Sequence, residues 1–193
     1  MIRPFMLVTS ASLVMLMFGL WIPFKALLAQ ELLERAWVKS QAQHTEQRPW
    51  SWADTWPVAK LDLPELGVSM IVLEGGHGES LAFGPGRVLG GERGPLILAG
   101  HRDTHFRHLK NVQTGTQIRV QDRSQQWRHY EVTDVSIVDS RTEAIDTLQL
   151  AQDSVLLITC YPFDSFDARG PLRYVVKARP VSQTGSNSAV AIL

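Results

Sequence analysis

The chain has 193 residues, of which 45% are hydrophobic and 20% charged, and its formal net charge is zero. Those values suit one folded domain with an appendage, and without a basic excess no nucleic-acid partner is expected. The single cysteine, Cys160, excludes an internal disulfide and any metal site built from several cysteines.

After Met1-Ile2-Arg3-Pro4, residues 5–24 carry no charge and are mostly apolar. That length crosses the hydrocarbon core of a bilayer as a helix. Trp21 and Phe24 suit the membrane–water boundary, and Lys25 closes the run. Residues 1–25 are therefore predicted to be a single-pass anchor. Arg3, Lys25 and Arg35 orient it weakly, and a short leader with one basic residue favours a cytoplasmic N-terminus. The expected location is the inner (cytoplasmic) membrane, with the rest of the chain on the periplasmic, extracytoplasmic side. A cleaved signal peptide is the rival. Its apolar region would be unusually long, and Ala26 and Ala29 make a poor cleavage site. An unpaired thiol in that compartment is notable, because thiols there tend to be oxidised.

Residues 26–56 read as a juxtamembrane helix and stalk. Leu27, Leu28 and Leu32, then Trp37 and Val38, form a rough apolar stripe, with Glu31, Glu34 and Arg35 elsewhere. The helix is expected to about Gln47, overlapping a polar stalk over 40–49 that ends at Pro49. Trp50, Trp52 and Trp56 follow within seven residues. Packing of this entry segment onto the domain is their expected role, ahead of ligand binding or contact with the membrane surface.

From residue 57 the pattern becomes β. Residues 58–63 and 68–73 form a predicted hairpin around Pro64-Glu65-Leu66-Gly67. Glu74-Gly75-Gly76-His77-Gly78-Glu79 breaks it, residues 80–83 make one helical turn, and Gly84-Pro85-Gly86 ends that turn. Further strands are predicted over 95–99, 116–121, 127–138, 155–159 and 172–178. Short strands with frequent turns and little helix indicate an all-β barrel or sandwich over 57–181. Residues 182–193 read as a flexible tail. Neither glycine cluster has the Lys-Ser/Thr and helix start of a phosphate loop, so both are read as a flexible rim.

The chemistry gathers at three strand ends. Val155-Leu156-Leu157-Ile158-Thr159-Cys160 is a short β-branched run that places the thiol at the end of a rigid element, where Pro162 stops it. A second strand ends at Gly100-His101, and a third begins at Leu172-Arg173. A thiol attacks a carbonyl as its thiolate. An imidazole takes or returns the proton, and a fixed guanidinium stabilises the developing oxyanion. Cys160, His101 and Arg173 thus cover the roles of acyl transfer. The bland alternative is a small buried cysteine with no chemistry.

These motifs resemble the sortase family. Thr159-Cys160 after Leu156-Leu157-Ile158 matches the T-L-x-T-C signature, with Leu156 in place of the Thr that often opens it. Twelve residues intervene before Arg173, a spacing common in sortases. Ala99-Gly100-His101-Arg102-Asp103-Thr104 with Phe106 is similar to the family's histidine motif, especially in class D and Gram-negative-type members. Tyr161-Pro162-Phe163 fits the Gram-negative type. The resemblance spans about residues 57–180. It implies a closed eight-stranded sortase-type β-barrel and a membrane-anchored cysteine transpeptidase. Cys160 would attack the Thr carbonyl of an LPxTG-like C-terminal sorting signal on a secreted partner, forming a thioacyl-enzyme. An amine acceptor or water would then release it. His101 is the implied acid/base, Arg173 the oxyanion-stabilising or substrate-orienting cation, and Thr159 part of the pocket floor. Asp103 is a further substrate-site candidate that orients His101. No cofactor and no metal are expected.

Rival assignments remain at several positions. His101, His105 and His108 follow an H-x3-H-x2-H spacing that on a helix would suit zinc, but no H-E-x-x-H or carboxylate partner accompanies them. His105 and His108 are otherwise exposed loop residues, His77 a solvent-facing turn residue and His129 an outward strand residue. Arg169 competes with Arg173, which is favoured by its strand position. Arg102 and Asp103 read as a loop-ordering ion pair. A hydrolytic cysteine peptidase on the same site and a tethered β-barrel binding module are the functional alternatives.

Overall fold

A computed structural model describes residues 2–90, 94–144, 150–165 and 170–181. The expected tail and the rival Arg169 lie outside the described residues. Eight strands form a closed barrel in the order β1-β2-β3-β4-β7-β8-β6-β5. They are β1 (Pro57–Leu63), β2 (Val68–Glu74), β3 (Gly86–Leu89), β4 (Leu96–Ala99), β5 (Gln117–Gln121), β6 (Trp127–Asp139), β7 (Val155–Cys160) and β8 (Leu172–Pro180). Pairing of Lys60 with Gln121 closes the ring between β1 and β5. A closed ring leaves no strand edge unpaired.

Alternation along the strands separates interior from exterior. Leu61 and Leu63, Val72, Leu98, Ile118 and Val120, Val132, Leu157 and Val176 meet in one buried cluster drawn from strands all round the ring. That cluster is the barrel interior. The alternate residues of β4, β7 and β8 face outward, and Ile97, Leu156 and Val175 form a second cluster there, with Val138, Leu150 and Ile158 against it.

β3 is a strand that the sequence pattern does not reveal. It has four residues, its Val88 and Leu89 are exposed, and it lies between Gly84-Pro85-Gly86 and Gly90. Its pairing with β2 and β4 creates it, not its own periodicity.

The N-terminal segment differs from an anchor followed by a separate helix and stalk. One helix, α1 (Ile2–Gln43), runs through Pro23 and Lys25. Its first half is exposed and apolar, long enough by composition to cross a bilayer. From Ala29 onward it is packed on the barrel. Leu33 and Trp37 are 1% and 2% exposed and cover Ile71 and Leu73 on the outside of β2. Gln30 donates to Phe83 O at 2.9 Å, in the short helix α2 (Gly78–Phe83), and Gln41 donates to Gln121 at 3.2 Å. The expected helix is thus docked on the barrel through Leu33, Ala36, Trp37 and Ser40, which repeat at helical spacing and are buried, and it takes in residues 40–43 of the expected stalk. Trp37→Ala should lower the unfolding free energy by about 3–5 kcal/mol, since it empties a closed contact. The same change at exposed Val38 should stay within about 0.5 kcal/mol. Denaturant titration of the two variants in detergent checks the contrast.

Candidate active site

β4 and β7 pair in parallel, with Ala99 opposite Ile158. Gly100 N–H extends the ladder by donating to Ile158 O at 3.1 Å. His101 is two residues beyond Ala99, as Cys160 is two beyond Ile158, so both lie at the same end of the sheet. On the other side β7 and β8 are antiparallel, and Cys160 is paired directly with Arg173. Directly paired residues project to the same side. Alternation along β7 and β8 carries the outward face of Leu156 and Val175 on to Cys160 and Arg173. The register thus sets Cys160 beside Arg173 at one end of a buried apolar outer cluster, with the His101 loop leaving the same end of the sheet. Cys160 is half-buried and His101 exposed.

The turn after Gly100 is fixed by packing. Phe106 N–H donates to His101 O at 3.0 Å, and the Phe106 ring is fully buried. A Cβ on Gly100 would stand 2.7 Å from that ring, so the motif needs glycine there. After Cys160, Tyr161, Phe163 and Tyr174 stack as one cluster, with centroids 5.0–6.2 Å apart. Phe163 and Tyr174 also pack on the interior core, which pins the chain just past the thiol.

Arg173 Nη1 donates to Gly170 O at 2.7 Å and Leu172 O at 2.9 Å, anchoring its guanidinium at the entry of β8. Asp139 lies across the ladder opposite Leu172. Hydrogen bonds from Arg141 hold its carboxyl down to about 2, with a smaller pull from Arg173. Near neutral pH Asp139 is thus an anion within electrostatic reach of the Arg173 cation.

Thr159 and Asp103 occupy different positions from those expected. Thr159 is buried, lies on the inward face opposite to Cys160, and donates from Oγ1 to Gly100 O at 2.7 Å. Its hydroxyl is spent on joining β7 to the histidine loop, so it braces the site and does not line a pocket floor. Asp103 pairs with Arg102 Nε at 3.3 Å, its carboxylate mostly exposed, and no contact with His101 is present among the described residues.

Arg102 is the residue that motif reading undervalued. It is 5% exposed. Nη1 donates to Pro162 O at 2.8 Å and Nη2 to Ser165 O at 2.6 Å. The loop after the cysteine is thereby tied to the loop after the histidine. The expected loop-ordering pair with Asp103 is present, and bonds to backbone carbonyls some sixty residues away add to it. Strand alternation offered a hint, since a residue next to exposed His101 tends to point the other way.

His105 is half-buried rather than exposed. Burial lowers its pKa, a hydrogen bond to the Ala82 backbone opposes this, and the nearby His101 adds to the lowering. His108 accepts a bond from Arg107 Nε at 3.1 Å. Among the described residues no three His, Cys, Asp or Glu side chains gather as metal ligands.

Comparison with known proteins gives a consistent picture. A family model described as "Sortase domain" matches residues 61–181. Sortase D of Bacillus subtilis is 32% identical over 126 residues, which are 63% of this chain and 63% of that protein. The match therefore spans less than two thirds of that relative's length. The crystal structure of sortase C-1 from Actinomyces oris is 27% identical, with a TM-score of 0.55 over 65% of this chain and 72% of that one. A Clostridium perfringens sortase D5 transpeptidase shares the fold at 22% identity, with a TM-score of 0.56 over 79% of this chain and 96% of that one.

Proposed function

The chain belongs to the sortase family, and from that premise we propose that it is a membrane-anchored cysteine transpeptidase acting on a secreted partner with an LPxTG-like C-terminal sorting signal. In this proposal the Cys160 thiolate attacks the carbonyl carbon of the signal's Thr. The oxyanion of the tetrahedral adduct is met by Arg173, whose Nε–H and Nη2 donors are not used by the bonds that anchor Nη1. His101 protonates the departing glycine amine, the C–N bond breaks, and a thioester to Cys160 remains. An acceptor amine then attacks the thioester, His101 takes the amine's proton, and the thiolate leaves.

The observation that carries the proposal is the ladder pair of Cys160 with Arg173, next to the Gly100–Ile158 bond that brings in His101. α1 supports the anchor: its first half is apolar, long enough to cross a bilayer, and exposed among the described residues. On this view the barrel works at the extracytoplasmic face of the cytoplasmic membrane.

The test is product mass after incubation with an LPxTG-like peptide and a glycine-based amine. Transpeptidation adds the mass of the amine to the N-terminal fragment. A product carrying only water at saturating amine would make the enzyme a hydrolytic peptidase. No cleavage with any such peptide would count against the substrate class.

A further inference from the structure

A groove of about 740 Å³ lies between α1 and the tryptophan segment, lined by Trp21, Phe24, Leu28, Trp50, Trp52 and Phe83 among others. We propose that it holds the glycerol and acyl region of a phospholipid from the bilayer that α1 spans, with Trp52 seated in the membrane interface. The inference rests on the anchor reading and goes beyond it: the barrel is held against the bilayer by its own surface, not merely tethered to it.

Distance is the first argument. The apolar run ends at Phe24 and Lys25, and the barrel first covers α1 at Ala29. Five residues of helix rise only about 7.5 Å. The polar region of one leaflet is itself about 5–7 Å deep, taking half the difference between total and hydrocarbon thickness. The near rim of the groove therefore stands inside the headgroup zone, and no layer of bulk water fits between.

Chemistry is the second argument. Trp21 and Phe24 stack at 6.1 Å, and Lys25 Nζ stands 5.0 Å over the Trp21 ring, an aromatic–cation pair suited to the phosphate level. Trp52 is 81% exposed. The segment carrying it is not loose: Trp50 packs edge-on against Phe83 at 4.9 Å, and Thr55 Oγ1 donates to Glu74 O at 2.7 Å. A large aromatic held out by a fixed turn, beside a bare apolar helix, is an interaction surface. The charges on that rim are Lys25 and Asp54, the latter 3.9 Å from His77. The arrangement also sets the height of the site. α2 lines the groove through Ala82 and Phe83, and Gln30 of α1 donates to Phe83 O at 2.9 Å. Near its far end, at Gln41, α1 meets β5 about 24 Å further along the helix axis from Lys25.

The experiment uses the full chain with Cys160→Ala, one copy per nanodisc, and an NBD label on a single new cysteine. Ser51→Cys reports beside Trp52, and Ser124→Cys on the β5–β6 turn is the aqueous control. The label at 51 is expected to be quenched by lipids carrying a shallow doxyl group. It should also be several-fold less sensitive to iodide than the label at 124, and adding Trp52→Ala should weaken the lipid quenching. Equal iodide sensitivity at both sites overturns the proposal. So does iodide shielding without doxyl quenching, which means a protein cover. Flotation of the unlabelled chain with vesicles after a carbonate wash separates the two readings. A chain that floats while position 51 stays wet keeps its anchor and loses the groove proposal, whereas a chain that does not float loses both.

Discussion

Cys160→Ala is expected to lower transpeptidation by about 10⁴-fold or more, since the group that forms the covalent bond has no substitute. Stability should change by less than about 1 kcal/mol, because the thiol is half-buried and removal of one sulfur opens little space. Cys160→Ser keeps the shape and is expected to be equally inactive, as a hydroxyl at the same point stays protonated. The measurements are initial rates with peptide and amine, intact mass for a thioester adduct, and a thermal melt. Accumulation of the adduct in the native chain and its loss in both variants would tie the chemistry to this sulfur. Ligation by the Ala variant at more than a trace would sink the proposed mechanism.

The parts of this molecule legible in the sequence are those whose signal is local. β7 is a β-branched run ended by Pro162, and the hairpin of β1 and β2 carries its turn residues between two alternating stretches. The closed barrel and the alignment of strand ends at Cys160 and Arg173 were implied by the family resemblance, and the register agrees. What stayed hidden depends on partners far along the chain. β3 exists through its neighbours. The docked half of α1 reads as polar tract at residue 40, yet Ser40 is buried with its hydroxyl donating to Trp37 O. Thr159 and Arg102 were visible as motif letters, but the acceptors of their hydrogen bonds were not, because a backbone carbonyl leaves no mark in a sequence.

Loss of Arg102 should lower turnover clearly, though by less than loss of the reacting thiol. A cation 5% exposed is stable only when its donors are satisfied, and here Pro162 O and Ser165 O satisfy them. Arg102→Ala deletes the charge-assisted bonds to Pro162 O and Ser165 O, each worth about 1.5–3 kcal/mol, along with the pair to Asp103. It also leaves carbonyls unpaired in a partly buried loop. The loop after Cys160 then floats relative to the loop after His101, and a misplacement near 1 Å costs about 10²-fold in rate. The expected result is a kcat lower by about 10²-fold with KM nearly unchanged, because Arg102 is 5% exposed and donates to loop carbonyls rather than to a bound peptide. Arg102→Lys keeps the charge but cannot fork to two carbonyls, so it should fall between the native chain and Ala. A residue that mattered only for global stability would recover native kcat in assays run well below the melting temperature. Recovery of that kind in Arg102→Ala would remove it from the site, whereas a persistent kcat defect in chain that is folded by circular dichroism establishes it as the brace that holds thiol and imidazole in register.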